Sequence, residues 1–465
     1  MKTFTTKQRR GRGGAAVVAA LVLLVVLVGM AAALASVAGG NVRMSKNSDD
    51  IRRALLAAES GLSFGSRTVR RVQLHPSTPP DQLMARLAEG LASDSSLTGN
   101  LGGQAIVANG STVVIPRIVT DDGAFELSIT LGPGGMPRLC SRGLAGGASR
   151  TVAVDLVVLT DLPISAFDFG IAARGPISLG GSAQIRGQNL LTEASLISTT
   201  EQAVAVSVAG SSVIDGDISS VGANTSVVIT GHPTVAGSQD PSEIADHIHF
   251  GVDTPVFPIV DTSIFKPLAT TVVDRNTDTS VKGLVLNNVI IKAGTNPTFA
   301  SDVQLNGVVY IESPNIVSFS SKVTLRGVMA TQDNNDPLTS CKINFQGQVQ
   351  AYAVETLPDL PQYQAVKQLT GTFVVAPGFD VNFAGQFSTI NGTIAADKLT
   401  FAGQAAGTVQ GSVIGLADEA VHIDGTVNIF IDRSGDDPGD AGFIMPMMFD
   451  MDMSTYREIV PGEGG

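Results

Sequence analysis

Apolar and polar residues follow three successive patterns along this chain. Residues 15–38 form an uncharged apolar run in which Ser36 is the only residue with a hydroxyl. About 20 apolar helical residues span a bilayer core, so this run predicts a transmembrane helix. In residues 39–75 apolar residues recur at helical spacing, which predicts a juxtamembrane helix continuing the first. In residues 101–164 they alternate with polar residues, which predicts a small antiparallel β unit.

From residue 165 to residue 432 the chain repeats the pattern apolar-x-apolar-x-Gly, as in VSVAG, VVITG and LTFAG. The spacing of the repeats is nearly constant, and the two longer gaps, Gly231 to Asn288 and Gly347 to Gly385, equal three periods and two periods. A fixed period is typical of a β-solenoid, so we predict one with about 20 residues per coil and three coils hidden in the gaps. The punctuating residues are Gly187, Gly210, Gly231, Asn288, Gly307, Gly327, Gly347, Gly385, Gly403 and Gly425.

This repeat has consequences for the corners, the interior and the end of the solenoid. Glycine or asparagine at a corner indicates a positive φ, which costs these residues least. Phe383 and Phe401 occupy equivalent positions in successive repeats, so we expect them to stack on the inner face of neighbouring coils. The end of a rod needs a cap, and we assign that role to residues 433–465 through Phe443, Met445, Met448 and Phe449.

The segments that flank the two helices carry further signals. Residues 1–14 form a basic leader with five Lys or Arg and no acidic residue, which favours a cytoplasmic N-terminus. Residues 76–100 are bounded by Pro and Ser and predict a linker around one short helix. A secretory signal peptide is the main alternative to an anchor, because small residues offer cleavage patterns at Ala31, Ala33 and Ala35.

The leader ends in Gly13 and Gly14, the apolar run follows, and the helix continues as VRMSKNSDDIRRALLAAESGL. This arrangement resembles the N-terminal region of PilX-type minor pilins and related pseudopilins of type IV pilus and type II secretion systems. The resemblance extends from the leader to about Gly65 and covers no more of the chain. The matching residues of the continuation are Arg43, Met44, Ser45, Asn47, Asp50, Ala54, Leu55, Ala58, Glu59 and Leu62.

The resemblance implies processing and assembly. A prepilin peptidase would cleave after Gly13, with cleavage after Gly14 as the alternative. Val18 stands at the fifth residue after Gly13, where major pilins carry Glu, and this departure argues against a repeating shaft subunit. The juxtamembrane helix either packs on its own globular domain or on other pilin-like helices, and the residues assigned to that assembly helix are Ile51, Leu55, Ala58, Glu59 and Leu62.

Composition and charge narrow the range of partners. The 465 residues carry a formal net charge of −12, and such an acidic surface repels phosphate backbones, so we expect no nucleic acid partner. Trp is absent and other aromatic residues are scarce, which is poor composition for a cleft that stacks sugars. Cys140 and Cys341 are the only cysteines, and a disulfide or two unpaired core residues both remain open.

Candidate metal ligands form no set with strong spacing. The stretch DHIHF brings His247 and His249 to one face of an extended segment. Such a pair could bind a metal ion together with Asp246, His232 or Asp253, but we prefer the interpretation that the segment is a solvated loop. A solvated acidic turn is likewise preferred over a calcium site for Asp432, Asp436, Asp437 and Asp440. The stretch GLSFG at residues 61–65 matches a nucleophile elbow only formally, because no strand precedes it. We therefore expect no catalytic residues, no bound metal and no cofactor.

These observations together predict a non-enzymatic structural protein of the cell envelope. It would be a single-pass inner-membrane protein with an exported body, a PilX-like minor pilin or pseudopilin whose partners are the membrane and other pilin-like subunits or the pilus assembly machinery. Its solenoid would serve pilus assembly or contact with a surface or polysaccharide. The alternatives are an exported β-helix polysaccharide lyase or hydrolase, which needs an acidic cluster with a basic partner on one face, and a bactofilin-like polymer, which needs flat uncapped ends.

Overall fold

The computed structural model describes residues 13–159, 164–333, 336–434 and 440–459. These residues form two compact units, which we call the helix unit and the solenoid unit. The helix unit comprises residues 13–159 and 447–459, and the solenoid unit comprises the described residues between them. The solenoid unit is therefore an insertion in the sequence of the helix unit, and the chain as a whole is mainly β.

The helix unit begins with α1 (Gly13–Val69), a single helix of 57 residues. Its sequence contains no proline and is rich in Ala and Leu, which favour helix. Small residues let its C-terminal half lie directly against a sheet: a Cβ at Gly143 would stand 2.0 Å from the carbonyl oxygen of Ala54 and 2.3 Å from the amide nitrogen of Ala58. Ala54, Ala58 and Leu62 are buried in this contact.

The predicted linker is part of the core of the helix unit. Residues 76–100 contain the expected short helix, α2 (Leu83–Ser93), followed by α3 (Ser95–Thr98). Met84, Leu87 and Leu91 of α2 are buried with the apolar face of the sheet. The sequence pattern indicated the helix, whereas the term linker was wrong because α2 is amphipathic and its apolar side is covered.

The predicted antiparallel β unit is present and is larger than its sequence segment. Its first five strands are β1 (Val107–Asn109), β2 (Thr112–Thr120), β3 (Gly123–Leu131), β4 (Pro137–Ala145) and β5 (Ala148–Val158), with a 3₁₀ turn at Pro133–Gly135. Consecutive strands pair in antiparallel fashion.

The solenoid unit consists of short strands joined by turns. They are β6 (Ile171–Ala173), β7 (Ile177–Leu179), β8 (Gln184–Gly187), β9 (Leu196–Ser198), β10 (Val204–Val208), β11 (Val213–Ile214), β12 (Ile218–Ser220), β13 (Ser226–Ile229), β14 (Thr234–Val235), β15 (Ile248–Phe250), β16 (Ile259–Val260), β17 (Thr271–Val273), β18 (Leu284–Ile291), β19 (Thr298–Phe299), β20 (Val303–Ile311), β21 (Ile316–Phe319), β22 (Val323–Thr331), β23 (Lys342–Phe345), β24 (Val349–Tyr352), β25 (Thr372–Phe383), β26 (Thr389–Asn391), β27 (Thr393–Phe401), β28 (Ala406–Gln410), β29 (Val413–Gly415), β30 (Val421–Ile423), β31 (Asn428–Asp432) and β32 (Phe443–Ile444). Helix α4 (Pro241–Asp246) precedes β15. The 3₁₀ turns are Ala166–Asp168, Leu191–Ala194, Lys266–Leu268, Val354–Thr356, Pro361–Tyr363 and Val366–Gln368.

The last strand, β33 (Phe449–Ile459), belongs to the helix unit, where it pairs with β5 in antiparallel fashion. The prediction that residues 433–465 cap the solenoid is therefore wrong for residues 447–459, which belong to the helix unit. Phe449 and Met448 are buried in the helix unit, whereas Phe443 packs within the solenoid unit and Met445 lies half-buried against the same cluster. The sequence could not reveal β33 as a sheet strand, because the whole solenoid unit separates it from its pairing partner β5.

The coils of the solenoid are stacked in an order that differs from the order of the sequence. The first coil (β6 to β8) pairs on one side with the second coil (β9 to β11) and on its other side with the last coil (β29 to β31). We call the contact between the first and last coils the seam. From the first coil the chain builds out to β15, crosses to β17, and returns coil by coil from β18 to β31.

This threading corrects the three hidden coils of the sequence analysis. The gap between Gly231 and Asn288 contains the end of the first set of coils, the crossing segment around β16, and the start of the return at β17. The gap between Gly347 and Gly385 contains a single coil with an insertion at residues 353–371, because Phe345 and Phe383 are direct neighbours in the ladder. Both gaps match whole multiples of the repeat period by coincidence.

The corner glycines form two columns rather than one. Gly210, Gly231, Gly403 and Gly425 have positive φ and stack in one column with Gly181, which the sequence pattern missed. A Cβ on Gly181 would stand 2.7 Å from the carbonyl oxygen of Gly425, so this column continues across the seam. The second column contains Asn288, Gly307 and Gly327, all with positive φ, and φ is not positive at the other predicted corners, Gly187, Gly347 and Gly385.

The interior of the solenoid is built from columns of apolar residues, as predicted. The rings of Phe383 and Phe401 stack with centroids 5.0 Å apart and planes at 7°. The same column continues through Phe345, Phe319 and Phe299 at centroid spacings of 4.8, 5.2 and 5.0 Å. We call the sheet face that carries this column the phenylalanine face.

A second sheet face of the solenoid is apolar on both sides, and we call it the covered face. It consists of β29, β6, β9 and parts of β18, β20, β22, β25 and β27. Its outward residues, such as Ile290, Tyr310 and Ile414, lie beneath Phe257 and Phe265 of the crossing segment. The insertion at residues 353–371 adds Tyr363 to this layer, so a third layer of chain covers this side.

The seam is fastened by a buried carboxylate. Glu193 follows the first coil, is 7% exposed, and accepts hydrogen bonds from the amides of Asn189 (2.7 Å), Leu190 (3.1 Å) and Arg433 (3.3 Å). Arg433 lies directly after the last coil. Burial opposes ionisation of Glu193, but these hydrogen bonds and one from the Asn189 side chain outweigh it and lower the pKa of Glu193.

We expect Phe401→Ala to lower the free energy of unfolding of the solenoid by about 3–5 kcal/mol, because it opens a cavity in the phenylalanine column. In a stack of coils the damage stays near its neighbours, so limited proteolysis should cut residues 380–430 and, across the seam, residues 171–187. The coils between β18 and β23 should stay resistant. Phe250→Ala is the matched control, because Phe250 is 47% exposed; equal losses for both variants would contradict this packing.

We expect Glu193→Gln to destabilise the solenoid by about 1–3 kcal/mol at neutral pH, because charged hydrogen-bond acceptors are lost from a buried site. A folded-state pKa below the unfolded value of about 4.3 contributes stability above that value, which is lost as pH falls through the folded pKa. The deficit of the variant should therefore shrink on acidification in unfolding experiments at pH 7 and pH 3. Glu201→Gln, at an exposed position, should show no deficit, and a deficit of Glu193→Gln that persists in acid would contradict the role of the charge.

Candidate functional site

The N-terminal part of α1 is an exposed apolar surface. Every residue from Val17 to Ser48 is exposed, and an 18-residue window in this helix has a mean hydropathy of 3.0 with none of it buried. Among the described residues α1 is the one helix that is long and apolar enough to cross a membrane. Such a surface is unstable in water, so this segment is consistent with a membrane anchor.

The residues predicted for processing and assembly lie at different places on α1. Gly13 and Gly14 are its first two residues, and residues 1–12 of the leader lie outside the described residues. Ala58 and Leu62 are buried against the sheet of the helix unit, which is one of the two contacts that the sequence left open for this helix. Ile51 and Leu55 are half-buried, and Glu59 is exposed and accepts a hydrogen bond from Tyr456 of β33 at 3.2 Å.

The phenylalanine face presents small polar side chains on its outward side. Each coil contributes one residue between two inward apolar residues, and neighbouring coils place these outward residues in register. Adjacent strands lie about 4.8 Å apart, so this ladder has that repeat. From β19 to β30 its members are Thr298, Ser318, Asn344, Asn382, Thr400 and His422, and across the seam it continues with Ser178 and Ser207.

Three neighbouring coils add a charged column beside this ladder. Lys342, Asp380 and Lys398 are direct neighbours in the strand register. The Asp380 Oδ2 atom lies 3.6 Å from Lys342 Nζ and 3.8 Å from Lys398 Nζ. The Asp380 side chain is only 6% exposed, whereas the two lysines are 34% and 31% exposed. Asp380 Oδ1 is buried and makes no hydrogen bond with the described residues.

The predicted histidine pair meets an aspartate that the sequence analysis missed. Nδ1 of His247 lies 2.7 Å from Asp217 Oδ1, and Nε2 of His249 lies 3.6 Å from Asp217 Oδ2. Ile218 pairs with Ile248, so Asp217 is one coil away from His247, and only the coil register could have revealed it. No group of three or more His, Cys, Asp or Glu side chains in the described part of the chain is arranged to hold a metal ion.

Two residues of the predicted acidic turn, Asp432 and Asp440, lie in the described part of the chain, and both accept hydrogen bonds within the solenoid unit. Asp432 accepts hydrogen bonds from Asn189 across the seam at 2.9 Å and from Ser434 at 2.6 Å. Asp440 is buried and accepts a hydrogen bond from Thr393 at 2.9 Å. Asp436 and Asp437 lie outside the described residues.

The two cysteines and the formal nucleophile motif have structural positions. Cys140 and Cys341 are both free, so the disulfide left open by the sequence is not formed. Cys341 is buried, with its Sγ 3.2 Å from Ser313 Oγ. The serine of GLSFG, Ser63, lies within α1, where the strand that precedes a nucleophile elbow is missing, as its sequence context indicated.

One edge of the covered face gathers acidic residues around an arginine. Arg174 follows β6, and its guanidinium carbon lies 4.9 Å from the ring centroid of Phe257. Burial lowers the pKa of Arg174, against the opposing influence of Asp418 and Asp397. Burial also raises the pKa of Asp397, although the amide of Gly378 donates a hydrogen bond to it. This group therefore contains both acidic and basic side chains. The contact with Phe257 holds Arg174 against the crossing segment.

The described chain is thus a long helix with an exposed apolar half, a six-stranded antiparallel sheet, and a β-solenoid inserted between two neighbouring strands of that sheet. No known family model matches the chain, and no curated protein matches it.

Comparison with solved structures finds weak similarities. The competence-associated pilin ComZ from Thermus thermophilus is 13% identical, over 88% of this chain and 98% of that chain, with a TM-score of 0.28. An ice-binding protein from the Antarctic ascomycete Antarctomyces psychrotrophicus is 13% identical over 58% and 97%, with a TM-score of 0.19. The ice-binding protein LeIBP from an Arctic yeast is 11% identical over 60% and 96%, with a TM-score of 0.17. With TM-scores this low, none of these similarities carries an argument about function.

Proposed function

We propose that this protein is a non-enzymatic structural protein of the cell envelope, a PilX-like minor pilin or pseudopilin that displays a β-solenoid. The observation that carries the proposal is the division of α1. Its first half exposes a continuous apolar surface, and its second half packs closely on a sheet through Ala54, Ala58 and Gly143. One helix therefore serves both as an anchor and as the spine of a folded unit.

The exposed half of α1 defines the partners in this proposal. It inserts in the inner membrane with the body on the exported side, and it packs on other pilin-like helices or on the pilus assembly machinery. The buried residues Ala58 and Leu62 take no part in that contact. Val18 in place of the glutamate of major pilins fits a minor subunit rather than a repeating one.

The insertion of the solenoid supports a role in display. Both connections of the solenoid unit lead to β5 and β33, which are hydrogen-bonded neighbours, with the amide of Leu159 donating to the carbonyl of Met448 at 2.9 Å. Such a module is suited to presenting one of its faces for pilus assembly or for contact with a surface.

Two alternatives remain from the sequence analysis. The residues around Arg174 favour an exported polysaccharide lyase or hydrolase, since burial raises the pKa of Asp397 and a carboxylic acid near a basic partner is what such an enzyme needs. A bactofilin-like polymer would need flat ends. At the end of the stack that β15 forms, Ile244 of α4 enters the core, which argues against end-to-end stacking.

The test is N-terminal sequencing of the mature protein recovered from the envelope fraction of a host with a prepilin peptidase. We expect the mature chain to begin at Gly14 or Ala15 and to retain the apolar helix. Replacing both glycines, Gly13→Leu with Gly14→Leu, should leave the leader attached. Gly29→Leu is the matched control, because a Cβ there meets nothing within 4 Å. A mature terminus near Ser36 would show an ordinary secretory signal and would contradict the proposal.

A further inference from the structure

The phenylalanine face has a small region where two outward columns lie side by side. We call it the grid and define it by Lys342, Asn344, Asp380, Asn382, Lys398 and Thr400. Each of three neighbouring coils contributes two of these residues, separated by one inward apolar residue. The grid therefore repeats along the stack at the strand spacing of about 4.8 Å.

The backbone of the grid is not available to a partner. β25 is hydrogen-bonded to β23 on one side and to β27 on the other. A peptide cannot add to these strands as a new edge strand, because their amides and carbonyls are already used. Recognition at the grid therefore depends on side chains alone.

The side chains of the grid select a hydroxyl-rich partner. The aromatic rings that follow the grid residues in each coil, Phe345, Phe383 and Phe401, are buried, so they offer no ring on which a sugar could stack. The outward groups are amides, a hydroxyl, two ammonium groups and a carboxylate, which donate to and accept from sugar hydroxyls. Asn382 Nδ2 donates to Asn344 Oδ1 at 3.1 Å, which holds the two amides in line along the stack.

The charge of the grid argues for an uncharged partner. Two lysines share one aspartate, so the grid carries a small positive charge within a chain of net charge −12. Both ammonium groups already face the shared Asp380 carboxylate, so the amides and the hydroxyl are the groups left for most contacts with a partner. The buried Asp380 Oδ1 still lacks a hydrogen bond among the described residues, and a hydroxyl that enters between the lysine side chains would supply one.

We propose that the grid is a docking site for an uncharged polysaccharide, whose chain lies along the stack and presents its hydroxyl edges to the two columns. This inference rests on the proposed function for the export of the solenoid and names the surface that the displayed solenoid contacts. The sequence pattern did not reveal the site, because the insertion at residues 353–371 separates Lys342 from Asp380 in the sequence.

The test is a pull-down assay. The purified full-length protein, in detergent, is mixed with a suspension of microcrystalline cellulose or of chitin, and the protein that remains in solution is measured. We expect the wild-type chain to bind at least one suspension, and the double variant Asn344→Ala with Asn382→Ala to bind about tenfold more weakly, as for the loss of two modest hydrogen bonds. The matched control is Gln304→Ala with Gln350→Ala, which removes two amides from one register column on another solenoid face, where Thr324 lies between them.

Further measurements make each outcome decisive. If the asparagine variant has a lower unfolding midpoint, Thr400→Arg replaces it, because a larger outward side chain covers the grid and must also weaken binding. Hydrogen bonding to hydroxyls predicts binding that persists at high salt. Wild-type protein that binds neither suspension, equal binding by grid and control variants, or binding that salt abolishes would each overturn the site.

The two proposals fail in different ways. Loss of polysaccharide binding leaves the result of N-terminal sequencing untouched, and the anchored, displayed solenoid then contacts something other than an uncharged polysaccharide. A chain with a mature terminus near Ser36 that still binds cellulose or chitin through the grid contradicts the pilin-like anchor alone.

Discussion

The pairing of the first coil with the last coil is the constraint on which the solenoid depends. A parallel stack built in sequence order would place its entrance and its exit at opposite ends, many strand spacings apart. Here β6, β7 and β8 pair with β29, β30 and β31, so the chain enters and leaves beside the same coils. A module of this kind suits insertion between the neighbouring strands β5 and β33, because it needs no long return connection.

Small residues fulfil a comparable role in both units because each unit depends on close backbone approach. At Gly143 the sheet of the helix unit touches the backbone of α1, and at Gly181 and Gly425 successive corners of the solenoid touch across the seam. Side chains larger than hydrogen would separate these backbones and break the hydrogen bonds beside them. At these positions glycine serves close contact rather than flexibility.

The elements that the sequence predicted correctly are those with local signals. The apolar run, the alternating strands and the stacked Phe383 and Phe401 follow from periodicity within one helix, one strand or two successive repeats. Periodicity tells which side of a coil faces inward, but it does not tell which coils are neighbours, since every coil offers the same apolar and polar alternation. The seam, Gly181 in the glycine column, Asp217 beside His247 and the strand β33 all depend on neighbours distant in sequence, and for that reason they could not be predicted.

The most direct measurement of the seam is a disulfide placed across it. Ser178 and His422 are register partners on the outward side of the phenylalanine face, and neighbouring strands fall within the Cα separation that a disulfide spans. In a background of Cys140→Ser and Cys341→Ala, Ser178→Cys with His422→Cys should form an intramolecular disulfide on mild oxidation. Ser178→Cys with Asn344→Cys, whose partners lie several coils apart in the stack, should not. Absence of the first cross-link, with both chains folded, would contradict the seam and with it the closed insertion of the solenoid.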